Sequence, residues 1–234
     1  MYRFDYLFFM HELWVGVTYI PITLLLSIVP LIIGLIVGTL FAICRIQKVR
    51  VIDRIIQVYV VLLRSIPIVL LMLMLYFFFT YGIDEIAGFY HLPFRSSQVS
   101  PITLAFIILS FVSVAFLSES VRTALQSVQK GQIEAARSVG MTTTTIYRRI
   151  IIPQALPVAI PILGNTFIGL IQGTALLYLI GVTDLITGVK IQANGNYRYV
   201  EAYIAAAIVY WVLCIAVEQG IRLLSTRVNY LVKG

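Results

Sequence analysis

Three polar side chains in one long apolar stretch of this sequence are candidates for a binding path. Asn165, Gln172 and Thr174 all lie between Pro161 and Val182. Each carries an uncharged group that can donate and accept hydrogen bonds, so together they could line a path for a polar molecule. They could equally tie neighbouring helices to one another. The sequence leaves both interpretations open.

Charged side chains beside apolar stretches offer a second kind of chemistry. Arg64 lies just before Pro67. It could contact a ligand or act as a gate, because charge in an apolar environment is costly and usually functional. It could also extend its guanidinium group to a membrane surface. Glu119 is a further candidate for a binding path, although its three-residue spacing to Arg122 favours a local ion pair on a helix.

Groups that could perform catalysis or hold a metal are sparse. The histidines, His11 and His91, are isolated from each other, and Cys44 and Cys214 lack the spacing of metal ligands. The phosphate-binding pattern GxxxxGK[ST] does not occur in the sequence. We therefore expect no catalytic residue, no metal and no cofactor on this chain.

The composition places these residues in a membrane protein. Of the 234 residues, 60% are hydrophobic and 12% are charged, whereas about a quarter of a soluble domain is charged. The net charge of +7 does not indicate nucleic acid, because no soluble basic domain is present and basic residues have a simpler role in membrane topology.

Five apolar runs have the length of a membrane-spanning helix, about 20 residues. They cover residues 20–44, 66–83, 101–117, 161–182 and 202–224. Gly34 and Gly38 form a GxxxG pair in the first run, which we interpret as close helix packing within the chain rather than dimerisation. The expected fold is all-α, with residues 1–234 forming a single transmembrane domain.

Basic residues predict the orientation of these spans, since cytoplasmic loops carry an excess of Lys and Arg. Three segments, after the first span, after the third and at the C-terminus, hold 12 of the 17 basic residues. The last segment includes Arg222, Arg227 and Lys233. We therefore expect the N-terminus outside, the C-terminus in the cytoplasm and a cytoplasmic loop at about residues 128–153.

A short helix is predicted over residues 132–139 of this loop. Ile133, Ala136 and Val139 recur at three-residue spacing, and Glu134 and Arg137 could pair on another side. Gly140 then suits a left-handed stop after the helix.

A second short helix should follow in the same loop. Thr142 or Thr143 could cap its start, and the helix should end near Pro153. On its pattern alone, the loop could also be an ordinary amphipathic connection lying on anionic lipid.

The spacing within the loop resembles the EAA loop of ABC importer permeases. That pattern has EAA, three residues, G, nine residues, and then I, any residue, L and P. The matching residues here are Glu134, Ala135, Ala136, Gly140, Ile150 and Pro153, with Ile152 in place of Leu.

Nearly the whole chain resembles the polar amino-acid permease subfamily, which serves histidine, glutamine, arginine, glutamate and cystine importers. It is carried by Gly16, Thr23, Leu24, Gly34, Gly38, Arg64, Pro67, Glu119, Arg122, Gly131, Gln132, residues 153–157, Asn165, Gly181, Val182 and residues 201–203. Two segments depart from the subfamily. Residues 64–67 read RSIP where relatives commonly have RGTP, and residues 172–176 read QGTAL where KDTSL is frequent.

The resemblance implies a permease that imports a polar amino acid, such as cystine or a basic amino acid, by alternating access. It implies a separate ABC ATPase dimer that binds the ATP, an extracytoplasmic substrate-binding protein, and a second permease chain that is identical or paralogous. By this resemblance, the residues that dock on the ATPase are Glu134, Ala135, Ala136, Arg137 and Gly140. The protein is expected to be a multi-pass protein of the bacterial cytoplasmic membrane.

Two other function classes are weighed against this one. An ion-coupled secondary transporter or channel would more often place carboxylates in the middle of its spans or show an internal repeat. A membrane enzyme would need a cluster of His, Asp, Glu or Cys residues. The sequence favours the permease over both.

Overall fold

The helices of this chain follow its apolar pattern. A computed structural model describes the backbone of residues 3–233 and the side chains of residues 3–229. Within that range the chain forms α-helices and no β-strand, which confirms the predicted all-α fold. The helices are α1 (Tyr6–Thr18), α2 (Ile20–Ile46), α3 (Arg50–Ser65), α4 (Ile68–Phe89), α5 (Pro101–Gln126), α6 (Lys130–Ser138), α7 (Thr143–Ile146), α8 (Ile152–Thr174), α9 (Leu185–Asn196) and α10 (Tyr199–Lys233).

Five helical segments of the described chain are long and apolar enough to cross a membrane, as predicted. They are Tyr6–Ile46, Ile68–Phe89, Pro101–Gln126, Thr143–Thr174 and Tyr199–Asn229. Large apolar side chains face outward along them; Ile36, Phe78 and Trp211 are each more than half exposed. Such a surface suits contact with lipid rather than water. The side chain of Lys233 lies outside the described side chains.

Two glycines let α2 and α5 pack at close range. A Cβ atom at Gly34 would collide with Ser113 Oγ, and one at Gly38 would lie 2.8 Å from the backbone nitrogen of Ser118. The Ser113 hydroxyl crosses the interface and donates to the carbonyl oxygen of Pro30 at 2.6 Å. The prediction that this GxxxG pair serves packing within the chain is confirmed.

The second span begins and ends later than predicted. Ile66 and Pro67 are extended and separate α3 from α4, because the residue before a proline is disfavoured in helical conformation. α4 then continues to Phe89 through Asp84 and Glu85. The first apolar segment begins earlier than predicted, because it also includes α1, whose N-terminus is capped by the side chain of Asp5.

The fourth span differs most from its prediction. α8 begins at Ile152, so Pro157 and Pro161 lie inside it and the loop's second helix does not end near Pro153. A π-helical turn, Tyr147–Ile151, joins α7 to α8 just before Pro153, and its wider winding accommodates a residue that has no N–H to donate. α8 ends at Thr174, and the apolar residues that follow form a 3₁₀ turn.

Three buried clusters hold the helices in place. The largest joins α2, α3, α4 and α5 with the turn after α8, and includes Leu26, Leu71 and Ile108. A second joins α9 and α10, with residues of α1 packed against it. The third lies under the loop between α5 and α8. Because α8 packs on both α5 and α10, its residues reach two different environments.

Candidate functional site

A cavity of about 460 Å³ opens between the end of α3 and helices α4, α5 and α8. Two of the five residues predicted for a binding path, Arg64 and Asn165, line it. Arg64 lies where the break at Ile66 and Pro67 ends α3, and Asn165 is presented from within α8.

The polar groups of the cavity wall are mostly hydroxyls. Ser113 donates to Pro30, Ser120 donates to the carbonyl oxygen of Phe116 at 2.9 Å, and Thr166 donates to that of Ile162 at 3.0 Å. Each hydroxyl proton is therefore engaged by backbone, while the oxygen keeps acceptor capacity. Asn165 makes no side-chain hydrogen bond to any other described residue. The wall can thus receive hydrogen bonds from a guest.

Arg64 supplies the cavity's positive charge. Its Cζ atom lies 5.6 Å from the centre of the Phe116 ring, a distance typical of a cation–π contact. Within the described residues it makes no ion pair. Its position in the last turn of α3 is favourable for a cation, since helix carbonyls converge there. The guanidinium group therefore contacts an aromatic ring near a helix end, and no carboxylate in the described part of the chain neutralises it.

The structure places Gln172 and Thr174 away from this cavity. Gln172 is exposed on another face of α8, near Tyr203 and Tyr210. Thr174 is fully buried; its hydroxyl lies 2.9 Å from the carbonyl oxygen of Ile171 and 3.3 Å from Asp184 Oδ2. Of the two interpretations left open by the sequence, Thr174 fits the one in which a polar group ties helices together.

Asp184 is the centre of a polar cluster that sequence analysis missed. Its buried carboxyl group accepts from Tyr210 Oη at 2.8 Å, from the Thr187 hydroxyl at 3.0 Å and from the Thr187 amide at 3.1 Å. The next amide, of Leu185, donates to Thr23 Oγ1 at 3.3 Å. The signal was present, because an aspartate directly before an apolar run is an N-cap pattern. The cluster joins α2, α8, α9 and α10.

Glu119 lies in a network of charges at one end of α2, α3 and α5. It pairs with Arg122, as its spacing predicts, and with Arg45 Nη1 at 2.7 Å. Arg45 Nε in turn lies 3.8 Å from Asp53 Oδ1. The neighbouring residue, Ser120, lines the cavity, whereas Glu119 does not. The carboxylate of Glu119 is therefore already shared between two arginines.

The loop after α5 forms a small projecting helix on a buried base. Ala136 packs inward with Val128, Ile146 and Ile151. Gly140 has φ of +79°, which confirms the predicted left-handed stop. Thr142 caps the following helix by accepting from the amide of Thr145 at 3.3 Å.

Other groups of the loop face outward. Glu134, Ala135 and Arg137 are exposed, and the predicted pairing of Glu134 with Arg137 is wrong, since no ion pair joins them within the described residues. Val139, expected on the apolar inner face, is 78% exposed because the helix ends at Ser138, before it. A bond of 2.6 Å from Gln154 Nε2 to Gln132 Oε1 links α6 to the start of α8.

The model of a family described as the binding-protein-dependent transport system inner membrane component matches residues 31–230. The chain belongs to this family. It is a permease subunit of an ABC importer and a multi-pass inner membrane protein, and the ATPase of such systems is a separate subunit. The family membership predicted from the sequence is thereby confirmed, and membership implies ATPase and binding-protein partners.

Individual relatives of this permease agree with that assignment. It is 40% identical over 196 residues to the probable amino-acid permease protein YxeN of Bacillus subtilis (strain 168), covering 84% of this chain and 83% of that protein. It is 32% identical to the probable amino-acid ABC transporter permease protein PatM of Vibrio harveyi, covering 97% and 93% of the two chains. A crystal structure of an amino acid ABC transporter with histidines superposes with a TM-score of 0.81 at 27% identity, over 97% of this permease and 100% of that chain.

Proposed function

We propose that this permease imports a polar amino acid by alternating access, driven by ATP hydrolysis on a partner. The observation that carries the proposal is the exposed helix α6 on its buried base, because it offers a rigid contact through which motion of another subunit can reach the spans. The names of the relatives, which describe amino-acid permeases, support the substrate class.

The proposed orientation has the N-terminus outside and the C-terminus in the cytoplasm, with residues 1–234 acting as one transmembrane domain. The distribution of basic residues supports it, because 12 of 17 fall on the segments assigned to the cytoplasm. The loop of residues 128–153 is then cytoplasmic, where an ATPase is available.

In the proposed coupling, α6 docks into a groove of one subunit of an ABC ATPase dimer. Glu134, Ala135, Arg137 and Gly140 present the outer surface, while Ala136 anchors the helix from below. The small side chain of Ala135 and the absence of one at Gly140 permit close approach. The bond between Gln154 and Gln132 gives a direct route from α6 to α8, so that movement of the loop also moves one wall of the cavity.

The proposed assembly includes a second permease chain, identical or paralogous, across a two-fold axis. Five spans are few for enclosing a path, and the cavity opens at the surface of this chain. An extracytoplasmic substrate-binding protein delivers the amino acid, lipid covers the exposed apolar faces, and nucleic acid has no role.

The proposed substrate path runs past Arg64 and Asn165, which line the cavity together. Glu119, Gln172 and Thr174, the other sequence candidates, lie off this wall in the present conformation. We therefore assign direct contact with the substrate to the first two residues and structural roles to Glu119 and Thr174.

Uptake of a labelled amino-acid panel tests the function. Membrane vesicles would hold this permease with its ATPase and binding protein, with ATP present or absent and all ion gradients collapsed. We expect uptake of at least one amino acid only when ATP is present. Uptake that persists without ATP and disappears with an ion gradient would contradict the proposal and favour the secondary transporter.

A further inference from the structure

The cavity has a charge of one sign. Arg64 is the cation of its wall, and no Asp or Glu is among the described residues that line it. Glu119 directly precedes the wall residue Ser120 in the sequence, but its carboxylate is paired with Arg45 and Arg122. A guest in this cavity therefore meets one uncompensated positive charge and no negative charge from the described lining residues.

The rest of the wall is largely apolar, although Arg64 itself is exposed. Met72, Leu109 and Val112 are buried apolar residues, and Phe116 carries the ring beneath Arg64. In surroundings of low polarity, electrostatic interactions are stronger than in water, and an unpaired charge is costly. A carboxylate beside Arg64 can form charge-assisted hydrogen bonds, whereas a second cation would be repelled without compensation.

Uncharged polar groups line the same cavity as Arg64. Asn165 has no hydrogen-bond partner among the described residues, and the hydroxyl oxygens of Ser120 and Thr166 still have acceptor capacity. These groups can accept hydrogen bonds from one ammonium group. They supply no negative charge that could compensate a second ammonium group on the side chain of the substrate.

We infer that the cavity selects amino acids that carry no cation on the side chain. Arg64 takes the carboxylate of the substrate, Asn165 and the hydroxyls take its α-ammonium group, and arginine and lysine are disfavoured. This inference rests on the proposed function, in which the cavity is part of the transport path. It narrows the substrates to neutral or acidic amino acids.

Pairs of matched amino acids test this selection. Citrulline and arginine have nearly the same shape and differ in the charge of the side chain, as do norleucine and lysine. Binding would be measured on the purified permease with its ATPase, without the binding protein, so that the binding protein's own preference does not enter. We expect citrulline to bind at least tenfold more tightly than arginine, and norleucine more tightly than lysine.

A substitution at Gly173 should reverse the preference. Gly173 lines the cavity, and a Cβ atom there would meet nothing within 4 Å. Gly173→Asp adds a carboxylate to the wall, and we expect the ratio of arginine to citrulline affinity to rise at least tenfold. Gly173→Asn adds similar bulk without charge, and should keep the preference for citrulline.

Substitutions at Arg64 test the other half of the inference. We expect Arg64→Gln to weaken citrulline binding about tenfold or more, and Arg64→Lys to retain part of the affinity because the charge remains. Equal effects of both substitutions would contradict a role for the charge.

Three further outcomes would overturn the inference: arginine bound as tightly as citrulline, no binding of any compound in the panel, or the same selectivity in Gly173→Asp and Gly173→Asn. ATP-driven uptake by the complete transporter separates this result from the proposed function. If uptake persists while arginine and citrulline bind equally, only the charge selection fails. If no panel compound is taken up with ATP, the proposed function fails as well.

Discussion

Helix α8 carries polar groups into two regions that treat them differently. Asn165 faces the cavity, where neither it nor Arg64 has a hydrogen-bond or ion-pair partner in the described chain. Thr174, at the end of the same helix, enters the Asp184 cluster, where carboxyl, hydroxyl and amide groups satisfy one another. In an apolar surrounding an unsatisfied polar group is costly. The comparison indicates that the Asp184 cluster holds the helices together, whereas the polar groups of the cavity have hydrogen-bonding capacity left for the substrate path proposed above.

Removal of Asp184 should have the largest effect on stability. Asp184→Leu leaves the amide of Thr187 without its acceptor and removes the carboxylate oxygens to which the hydroxyls of Tyr210 and Thr187 donate. The expected loss is about 3 kcal/mol. The measurement is thermal unfolding of the purified permease in detergent, with the yield of monodisperse protein. Asp184→Asn keeps the shape and one acceptor oxygen and should lose less. Equal stability of Asp184→Leu and the unaltered protein would show that the Asp184 cluster does not hold the helices together.

A smaller loss of stability is expected from the charge network. Glu119→Gln removes the carboxylate shared by Arg45 and Arg122, and since these groups are partly exposed, the expected loss is about 1 kcal/mol. The loss should shrink at high salt, because screening weakens the interactions being removed. Thermal unfolding at low and high ionic strength checks both statements, and a loss independent of salt would indicate packing instead of charge.

The apolar pattern was enough to predict the number of spans, and the loop spacing was enough to predict α6 and its stop at Gly140. Those features depend on residues close together in sequence. The boundaries of α8 were missed because the π-helical turn before Pro153 lets a helix continue where a proline normally ends one. The Asp184 cluster joins residues as far apart as Thr23 and Tyr210. A local sequence pattern cannot predict contacts between residues so far apart in the chain.

The residues of the candidate site could also not be predicted from local sequence patterns alone. Asn165, Gln172 and Thr174 looked alike in the sequence, since each is an uncharged polar residue in an apolar run. Which of them reaches the cavity depends on the direction of each side chain around α8, and that is fixed by the packing of α8 between α5 and α10. That no described acidic residue lines the cavity could likewise not be predicted, because the wall is formed by four helices that are separate in sequence.

Asn165→Leu should leave stability nearly unchanged but weaken substrate handling. Asn165 has no partner to lose within the described chain, so the change in unfolding free energy is expected to be within about 0.5 kcal/mol. Loss of a hydrogen bond to the substrate should raise the KM for uptake about tenfold. Gln172→Leu is the matched control, since it makes a polar residue of α8 apolar outside the cavity.

Kinetics of uptake in proteoliposomes would compare these two variants. An increase in KM for Gln172→Leu and none for Asn165→Leu would reverse the assignment of the two faces of α8. An equal increase for both would show that the transport path is wider than the cavity.

Helix α6 is a third setting for polar side chains, since its exposed groups form the surface proposed to dock on the ATPase. Glu134 is exposed and has no ion-pair partner among the described residues, so Glu134→Arg should not change the unfolding temperature. Reversal of its charge at a docking surface should nevertheless abolish ATP-driven uptake. Co-purification of the ATPase and uptake in vesicles are the two measurements.

Glu85→Arg provides the control for Glu134→Arg, because Glu85 is also an exposed carboxylate but lies near the far end of α4. We expect it to retain the ATPase. Normal uptake and normal ATPase retention by Glu134→Arg would count against the docking role of α6. Lost uptake with retained ATPase would place Glu134 in the transmission of motion, since the subunits would still meet and the cavity would no longer respond.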